Sequence, residues 1–122
     1  MSAIKNILFI GLLLFLLTGC TVKQQKGKKP KPFLDEKEMV DVLVDFRITE
    51  SAIREMAAYG QDTKKMSAYY YRKMFEKHHI TLEEFKANLN YYSQDPKQIH
   101  DIYSQVITRI TEMQADLVKR RN

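Results

Sequence analysis

Residues 96–121 read PKQIHDIYSQVITRITEMQADLVKRR, and this stretch decides the fold. Such a pattern is typical of an α-helix that packs along one face against other helices, because apolar side chains recur at steps of three and four residues. The apolar positions are Ile99, Tyr103, Val106, Ile110, Met113 and Leu117. The basic residues that end this stretch suit the carboxyl end of a helix, because the helix dipole favours positive charge there. The spacing therefore predicts a helix of about 23 residues, near 35 Å long.

A second long helix is predicted from about Asp35 to Tyr59. Asp35 and Glu38 have the spacing of a capping box, and Gly60 stands where a glycine commonly ends a helix. The apolar stripe of this helix comprises Met39, Leu43, Phe46, Ile53 and Ala57. Because only this helix matches the last one in length, we expect the two to pack antiparallel.

Two shorter helices are predicted between the long ones. The first spans roughly Thr63 to His78, with an apolar face formed by Tyr71, Met74, Phe75 and His78. The second opens at Thr81, where Glu84 completes another capping box, and the last helix starts from an Asp95–Pro96 cap. Periodicity of this kind throughout 34–122 predicts one all-α domain, a small bundle of about four helices, two long and two short.

The first twenty residues have the features of an export signal. Lys5 precedes an apolar run of eleven residues, Ile7–Leu17. The run is too short to span a bilayer, which needs about 20 residues, and it suits a signal peptide. Residues 17–20, LTGC, resemble the lipobox of bacterial lipoproteins. The resemblance implies removal of residues 1–19, a diacylglyceryl group on the Cys20 thiol, and a further acyl chain such as palmitate on the new amino terminus.

Cys20 is the only cysteine in the chain. A disulfide within the chain is therefore excluded. A free buried cysteine is the alternative to lipidation, but a cysteine directly after a charged and then apolar leader favours the lipid anchor. Thr21 stands where aspartate would retain such a lipoprotein in the inner membrane, and no acidic run follows. We therefore expect attachment to the outer membrane, on its periplasmic face.

Residues 20–33 are expected to form a basic, flexible tether. Five lysines and no acidic residue lie there, and Gly27, Pro30 and Pro32 interrupt any helix. From Leu34 onward, 14 basic residues face 15 acidic ones, so the positive charge belongs to the tether. A nucleic-acid-binding domain would carry clustered charge on its folded surface, and we expect no nucleic-acid partner. The lysines either form a solvated linker or contact anionic headgroups or glycans.

Several segments resemble a family of short lipoproteins from Bacteroidota that is catalogued as a domain of unknown function. They are MVDVLVDFRITE at 39–50, YRKMFEKHHITLEEF at 71–85, and the tyrosine pair at 91–92 that precedes Pro96. The resemblance implies a helical domain on a lipid anchor. It implies no activity and no site residue other than Cys20.

The chain shows little that indicates catalysis, a cofactor or a metal. His78 and His79 are adjacent, so on a helix their side chains would point about 100° apart and could not grip one ion. No Ser-centred nucleophile motif and no phosphate-binding glycine loop is present. We therefore expect a protein that is not an enzyme and that holds no cofactor and no metal.

Three acidic residues of the first helix attract different interpretations. Glu50 falls inside the apolar stripe, where a carboxylate is costly unless it is paired. It is either a structural partner of an Arg, Lys or Tyr, or the polar anchor of a ligand pocket in a small enzyme or binding domain. Asp41 and Asp45 are expected to form a solvated face.

Consecutive tyrosines at 69–71 provide the best candidate contact surface. Three successive helical positions sweep about 200°, so one of them should be exposed. Tyr69 shares a face with Arg72 and Lys73, and Tyr with Arg is enriched in protein interfaces, although the same face could be ordinary surface or contact glycan. We expect a non-catalytic envelope binding or accessory subunit, with an envelope protein as its partner.

Overall fold

The structure, a computed structural model, describes residues 26–121. Within this range the chain forms four helices and no strand, so the all-α class and the order long, short, short, long are confirmed. The predictions for the signal peptide and Cys20 lie outside the described residues. The helices are α1 (Glu36–Ala58), α2 (Thr63–Lys77), α3 (Leu82–Ser93) and α4 (Pro96–Arg121).

Local sequence sets the helix ends. The Asp35 side chain accepts a hydrogen bond from the backbone N–H of Glu38 at 2.8 Å, and Glu38 Oε2 accepts from the backbone N–H of Asp35 at 2.7 Å. Thr81 and Glu84 form the same reciprocal pair at the start of α3. Gly60 adopts a φ of 74°, the left-handed conformation that glycine tolerates best. Both predicted capping boxes and the glycine stop are confirmed.

The core gathers around the first half of α1. Five of the six residues from 39 to 44 are buried, and only Asp41 among them is partly exposed; the buried ones are Met39, Val40, Val42, Leu43 and Val44. The second half is much less covered: Ile53 is half-buried and Ala57 is exposed. The predicted stripe of the first helix is therefore confirmed at its start and wrong at Ala57.

The two short helices follow one another along α1. Tyr71 of α2 packs on Phe46 of α1 with ring centroids 5.5 Å apart, and Phe85 of α3 stacks on the same phenylalanine at 5.4 Å. Further along α3, the Tyr92 hydroxyl donates to the carbonyl oxygen of Leu34 at 2.8 Å. The chain thus returns to the start of α1 in two steps, first by α2 and then by α3.

The last helix does not pack antiparallel to α1, so that prediction is wrong. Gln105 donates to Glu36 near the start of α1 at 2.8 Å. Leu117, near the end of α4, lines the same groove as Glu55, near the end of α1. In an antiparallel pair the late residues of α4 would lie at the start of α1 instead. The reason is the topology of the chain. It reverses direction between α1 and α2 and again between α3 and α4, but not between α2 and α3, so α4 runs in the same direction as α1.

Only the first half of α4 reaches the core. Ile102 and Val106 are buried and Ile110 is half-buried, as the periodicity predicts for the last two. Met113 and Leu117 are 47% and 63% exposed, so the predicted stripe is wrong at its end. The reason is length, because α4 has 26 residues and extends beyond the core that the shorter helices form.

The last residues of the predicted tether lie against the helices. The Lys26 ammonium pairs with Asp95 at 3.2 Å, and the Asn88 side chain donates to the carbonyl oxygen of Pro32 at 2.9 Å. Phe33 packs on the tyrosines of α3. The packed unit therefore begins before Leu34, because α3 supplies partners that the composition of the tether does not reveal.

Candidate interaction surface

The predicted contact residues lie together on the outer face of α2. Tyr69 is 49% exposed, and the Arg72 guanidinium carbon lies 5.9 Å from the centroid of its ring. The neighbouring Tyr70 is also exposed and meets Tyr69 edge-on with centroids 5.6 Å apart. Lys73 is engaged by Glu76, whose carboxylate accepts from the ammonium at 2.8 Å. Tyr69, Tyr70 and Arg72 form what we call the aromatic patch.

An apolar groove of about 670 Å³ borders the aromatic patch. It runs between α2 and the start of α3, and Arg72 contributes to both the patch and the groove. The lining residues are Phe46, Ala68, Tyr71, Arg72, Phe75, Glu76, Ile80, Thr81 and Leu82. Leu82 is exposed, because α3 begins beyond the end of α2 and its first turn is left uncovered.

Glu50 lies outside this groove. Its carboxylate accepts from the Arg47 guanidinium at 3.0 Å, one helical turn away, so the interpretation as a structural pair is confirmed. Burial of Tyr71, together with the negative charge of Glu50, raises the pKa of the Tyr71 hydroxyl above its ordinary value. That hydroxyl is therefore neutral at physiological pH.

Asp41 and Asp45 do not form a solvated face, so that prediction is wrong. Asp45 accepts from Lys77 at 2.6 Å and lies 2.7 Å from the Nε2 atom of His78, while Asp41 pairs with Arg109. The two carboxylates thus connect α1 to α2 and to α4. Sequence spacing could not reveal this, because the partners come from other helices.

Opposing effects act on the acidity of Asp45. Partial burial raises the pKa of its carboxyl, but the hydrogen bonds from Lys77 and His78 and their positive charges outweigh that effect. The pKa of Asp45 consequently lies below its ordinary value of 3.8. The carboxylate is charged at neutral pH and its hydrogen-bonding capacity is used within the fold, which suits a structural connection better than proton transfer.

Asp45→Asn should make unfolding less sensitive to acid. A carboxylate with a lowered folded pKa stabilises the protein fully above its unfolded pKa, and this contribution is lost as pH falls through the folded pKa. Near neutral pH we expect the variant to lose about 1 kcal/mol of unfolding free energy, since the pair is partly exposed. Below about pH 3.8 the difference from wild type should shrink. Denaturant titrations at several pH values measure the unfolding free energies of the variant and of wild type. If the difference between these two free energies stayed constant in acid, the assigned role of Asp45 would be contradicted.

The histidines do not converge on a common site. His78 is held by Asp45, His79 adopts a φ of 53° at the end of α2, and His100 is exposed beside Asp101. Among residues 26–121, no group of three or more His, Cys, Asp or Glu side chains is arranged to hold a metal ion.

Comparison with known proteins places the chain in a family. No curated protein and no solved structure matches it. None of the helices within 26–121 combines the length and the apolar character needed to cross a bilayer. A family model described as a domain of unknown function (DUF4296) matches residues 30–116, which include α1, α2, α3 and most of α4. Since this match covers more than half of the chain, the protein belongs to the DUF4296 family.

Proposed function

We propose that this protein is an outer-membrane-anchored lipoprotein whose helical domain acts as a non-catalytic binding or accessory subunit of the cell envelope. The observation that carries the proposal is the apolar groove bordered by the aromatic patch. Concave, mainly apolar clefts of several hundred Å³ with a few polar groups at their edge are the usual form of binding sites in proteins. The LTGC segment at residues 17–20 supports the lipid anchor.

The distribution of charge favours binding over catalysis. An active site would combine a concave pocket with two or more ionisable groups of perturbed pKa. The groove is lined mainly by aromatic and aliphatic side chains, and its two groups of shifted pKa, Tyr71 and Glu76, are accounted for by burial and by the hydrogen bond from Lys73. The carboxylates of Asp41 and Asp45 line a separate cavity, where they hold contacts between helices. The alternative of a small enzyme or ligand-binding domain around Glu50 gains no support, because Glu50 is paired with Arg47 and lies outside the groove.

The surface around the groove indicates the character of a partner. Tyr and Arg side chains dominate the energetics of many protein interfaces, because they bury a large area at a low entropic cost. Exposed cations flank the aromatic patch along α2, namely Lys64 and Lys65 before it and Lys73 after it. Such a face suits a protein segment that offers an apolar anchor to the groove and acidic residues to its rim.

Replacing Tyr69 and Arg72 together by alanine should abolish partner capture. Both side chains are exposed, so the unfolding free energy should change by no more than about 0.5 kcal/mol. Chemical crosslinking in intact cells, followed by purification of the tagged protein, detects the crosslinked partners as bands on a gel. We expect the bands that wild type gives to be absent from the double alanine variant.

A matched control is available on α1 and the residue that follows it. Tyr59 and Arg54 are exposed residues of the same two types that lie outside the groove and the aromatic patch. The variant with alanine at both of these positions should capture the same proteins as wild type. The contact surface would be wrongly placed if the Tyr69 and Arg72 variant retained every crosslinked partner, or if it melted several degrees lower.

Cys20→Ser should prevent anchoring. If the thiol receives the lipid, its loss leaves an unprocessed precursor of higher mass, because cleavage follows lipidation. A stable anchor needs two or more acyl chains, so the amino-terminal chain and the thioether-linked lipid act together. Mass spectrometry and metabolic labelling with a fatty acid measure the effect. A variant that is still cut after Gly19 and still carries lipid would disprove the lipoprotein assignment.

A further inference from the structure

The segment before α1 is fixed to the end of the bundle where α3 turns into α4. The Lys26 ammonium lies 3.2 Å from Asp95 in that turn and 5.4 Å from the centroid of the Tyr91 ring. Phe33, at the other end of the segment, meets the same ring edge-on with centroids 5.5 Å apart. Residues 26–33 are therefore held at both ends, and the position of Lys26 relative to the helices is set.

The stretch of chain between this fixed point and Cys20 is short. Residues 21–25 separate Cys20 from Lys26, and a fully extended chain of that length spans at most about 22 Å. A tether that was free as far as Phe33 would reach about 47 Å. If Cys20 is lipidated, as the proposed function holds, the docked segment therefore keeps the turn between α3 and α4 close to the membrane.

Three lysines of the docked segment are open to solvent. Lys28, Lys29 and Lys31 are exposed, and none of them makes an ion pair with another residue of 26–121. The Lys29 ammonium lies 4.4 Å from the centroid of the Phe33 ring, which holds this side chain over the segment. We call these three residues the lysine cluster. Their charge stands at the part of the fold that the short tether brings to the membrane.

Acidic side chains nearby do not cancel the lysine cluster. Glu36, Asp95 and Asp101 share a cavity of about 290 Å³ with two lysines, Lys26 and Lys97. These two lysines offset most of the negative charge of the cavity, and the lysine cluster lies outside its lining. Five lysines thus stand against three carboxylates on the docked segment and the cavity that borders it, so this end of the bundle carries net positive charge.

A layer of anionic lipid headgroups is the partner that this end of the bundle fits. Each lysine near such a layer favours the contact by roughly fivefold, and the attraction acts over about 8–10 Å at ordinary salt concentrations. The anchor already holds the domain at the surface, so the lysines engage within one molecule at a high effective concentration. A protein partner would require exposed apolar anchors, whereas Phe33 of this segment is turned against the tyrosines of α3.

We propose that the lysine cluster lies against the anionic headgroups of the membrane that holds the anchor, with the turn between α3 and α4 facing that membrane. The inference rests on the lipid anchor of the proposed function and adds an orientation to it. Tyr71, beside the aromatic patch, packs on Phe46, which lies ten residues into α1, about 15 Å from the start of that helix. Contact at the lysine cluster therefore leaves the aromatic patch free for a partner.

Energy transfer from a single dye to the membrane tests the orientation. In the mature lipidated protein, inserted into vesicles, the Cys20 thiol is blocked by the lipid, so an introduced cysteine is labelled alone. Ser93→Cys places the dye at the exposed end of α3, and acceptor dyes are carried by the headgroups. Vesicles of phosphatidylcholine alone are compared with vesicles of equal parts phosphatidylcholine and phosphatidylglycerol. We expect at least about twofold more transfer in the anionic vesicles, and loss of this rise in high salt.

A second dye position reports on the far end of the bundle. Ala115 is exposed on α4, about 29 Å along the helix from Pro96. Because the lysine cluster holds the opposite end against the membrane, transfer from Ala115→Cys should decrease in the anionic vesicles. A rise at both dye positions would mean that the domain lies flat on the membrane, and would overturn the proposed orientation.

Charge removal identifies the residues responsible. Replacing all three members of the lysine cluster by glutamine in the Ser93→Cys protein should abolish the rise in the anionic vesicles. Lys64→Gln, Lys65→Gln and Lys119→Gln together form the matched control, since they remove the same charge from exposed positions elsewhere on the bundle. The control protein should keep the rise of wild type. All six lysines are exposed, so folding is not at risk in either variant.

Two further results would overturn the proposal. Transfer from Ser93→Cys that is equal in neutral and anionic vesicles would exclude a headgroup contact, and an equal loss of the rise in the control protein would exclude a specific role of the lysine cluster. Failure of the anchor itself is distinguishable, because a protein without lipid on Cys20 would join neither kind of vesicle, and the proposed function would then fall together with this inference. An anchored protein that shows no rise removes this inference alone.

Discussion

Val106→Asp is expected to abolish folding of the helical domain. The Val106 side chain is 2% exposed and lies next to the fully buried Ile102 on the core face of α4. An aspartate there would bury a carboxylate without a partner, which costs about 3–5 kcal/mol. The loss of the apolar side chain adds to this cost. Since small domains are stable by only about 5–15 kcal/mol, the sum removes most or all of the stability.

The neighbouring residue supplies the control. Ile107 is 65% exposed, so Ile107→Asp adds the same charge one position further along the same helix without burying it. Far-ultraviolet circular dichroism with thermal denaturation, on a chain that begins at Lys26, compares the two. We expect a cooperative transition near that of wild type for Ile107→Asp and none for Val106→Asp. Equal melting temperatures for the two variants would show that α4 does not enter the core at this turn.

Asn88→Leu is expected to cause the second largest loss of stability. Asn88 is fully buried, and its side-chain oxygen accepts from the backbone N–H of Leu34 at 2.9 Å. Its amide nitrogen donates to the carbonyl oxygens of Pro32 and Glu84, each at 2.9 Å. One side chain thus holds the segment before α1 against α3. Leucine has a similar size but leaves the Leu34 N–H without its partner.

The expected cost is about 3 kcal/mol, because each buried polar group left unpaired costs about 1–3 kcal/mol. For a domain of this size, a loss of 1 kcal/mol lowers the melting temperature by roughly 4–8 °C, so the decrease should exceed about 10 °C. Asn90→Leu is the control, since Asn90 is exposed on the same helix. Hydrogen exchange should show the Leu34 amide, which donates to Asn88 in wild type, deprotected in the Asn88 variant alone. Unchanged protection there would contradict the assigned role.

The candidate surface was predictable only in part. Tyr69 and Arg72 lie three residues apart on one helix, and helical geometry alone predicts that such residues meet. The groove beside them depends on where α3 begins relative to α2, and no pattern in the sequence specifies that placement. The sequence does carry a signal for Asn88, because this residue falls among Phe85, Leu89 and Tyr92 on the apolar face of α3. A polar residue in such a position indicates a buried hydrogen-bonding role.

The sequence by itself determined the features that depend on residues within about one helical turn of each other. The capping boxes at Asp35 and Thr81, the glycine stop at Gly60 and the apolar period of α4 all belong to this class. Their physical basis is local, since caps and periodicity involve backbone groups and side chains separated by three or four positions. For this reason the number, type and order of the helices followed from the chain alone.

Only the tertiary structure decided how the helices are arranged and which polar residues they share. The Asp45–His78 contact joins residues 33 positions apart, and the Leu34–Asn88 bond joins residues 54 apart. Whether α4 lies parallel or antiparallel to α1 depended on a turn that does not reverse the chain. Such pairings result from the simultaneous packing of all four helices, because each helix alone offers several faces of similar apolar character and the core selects among them.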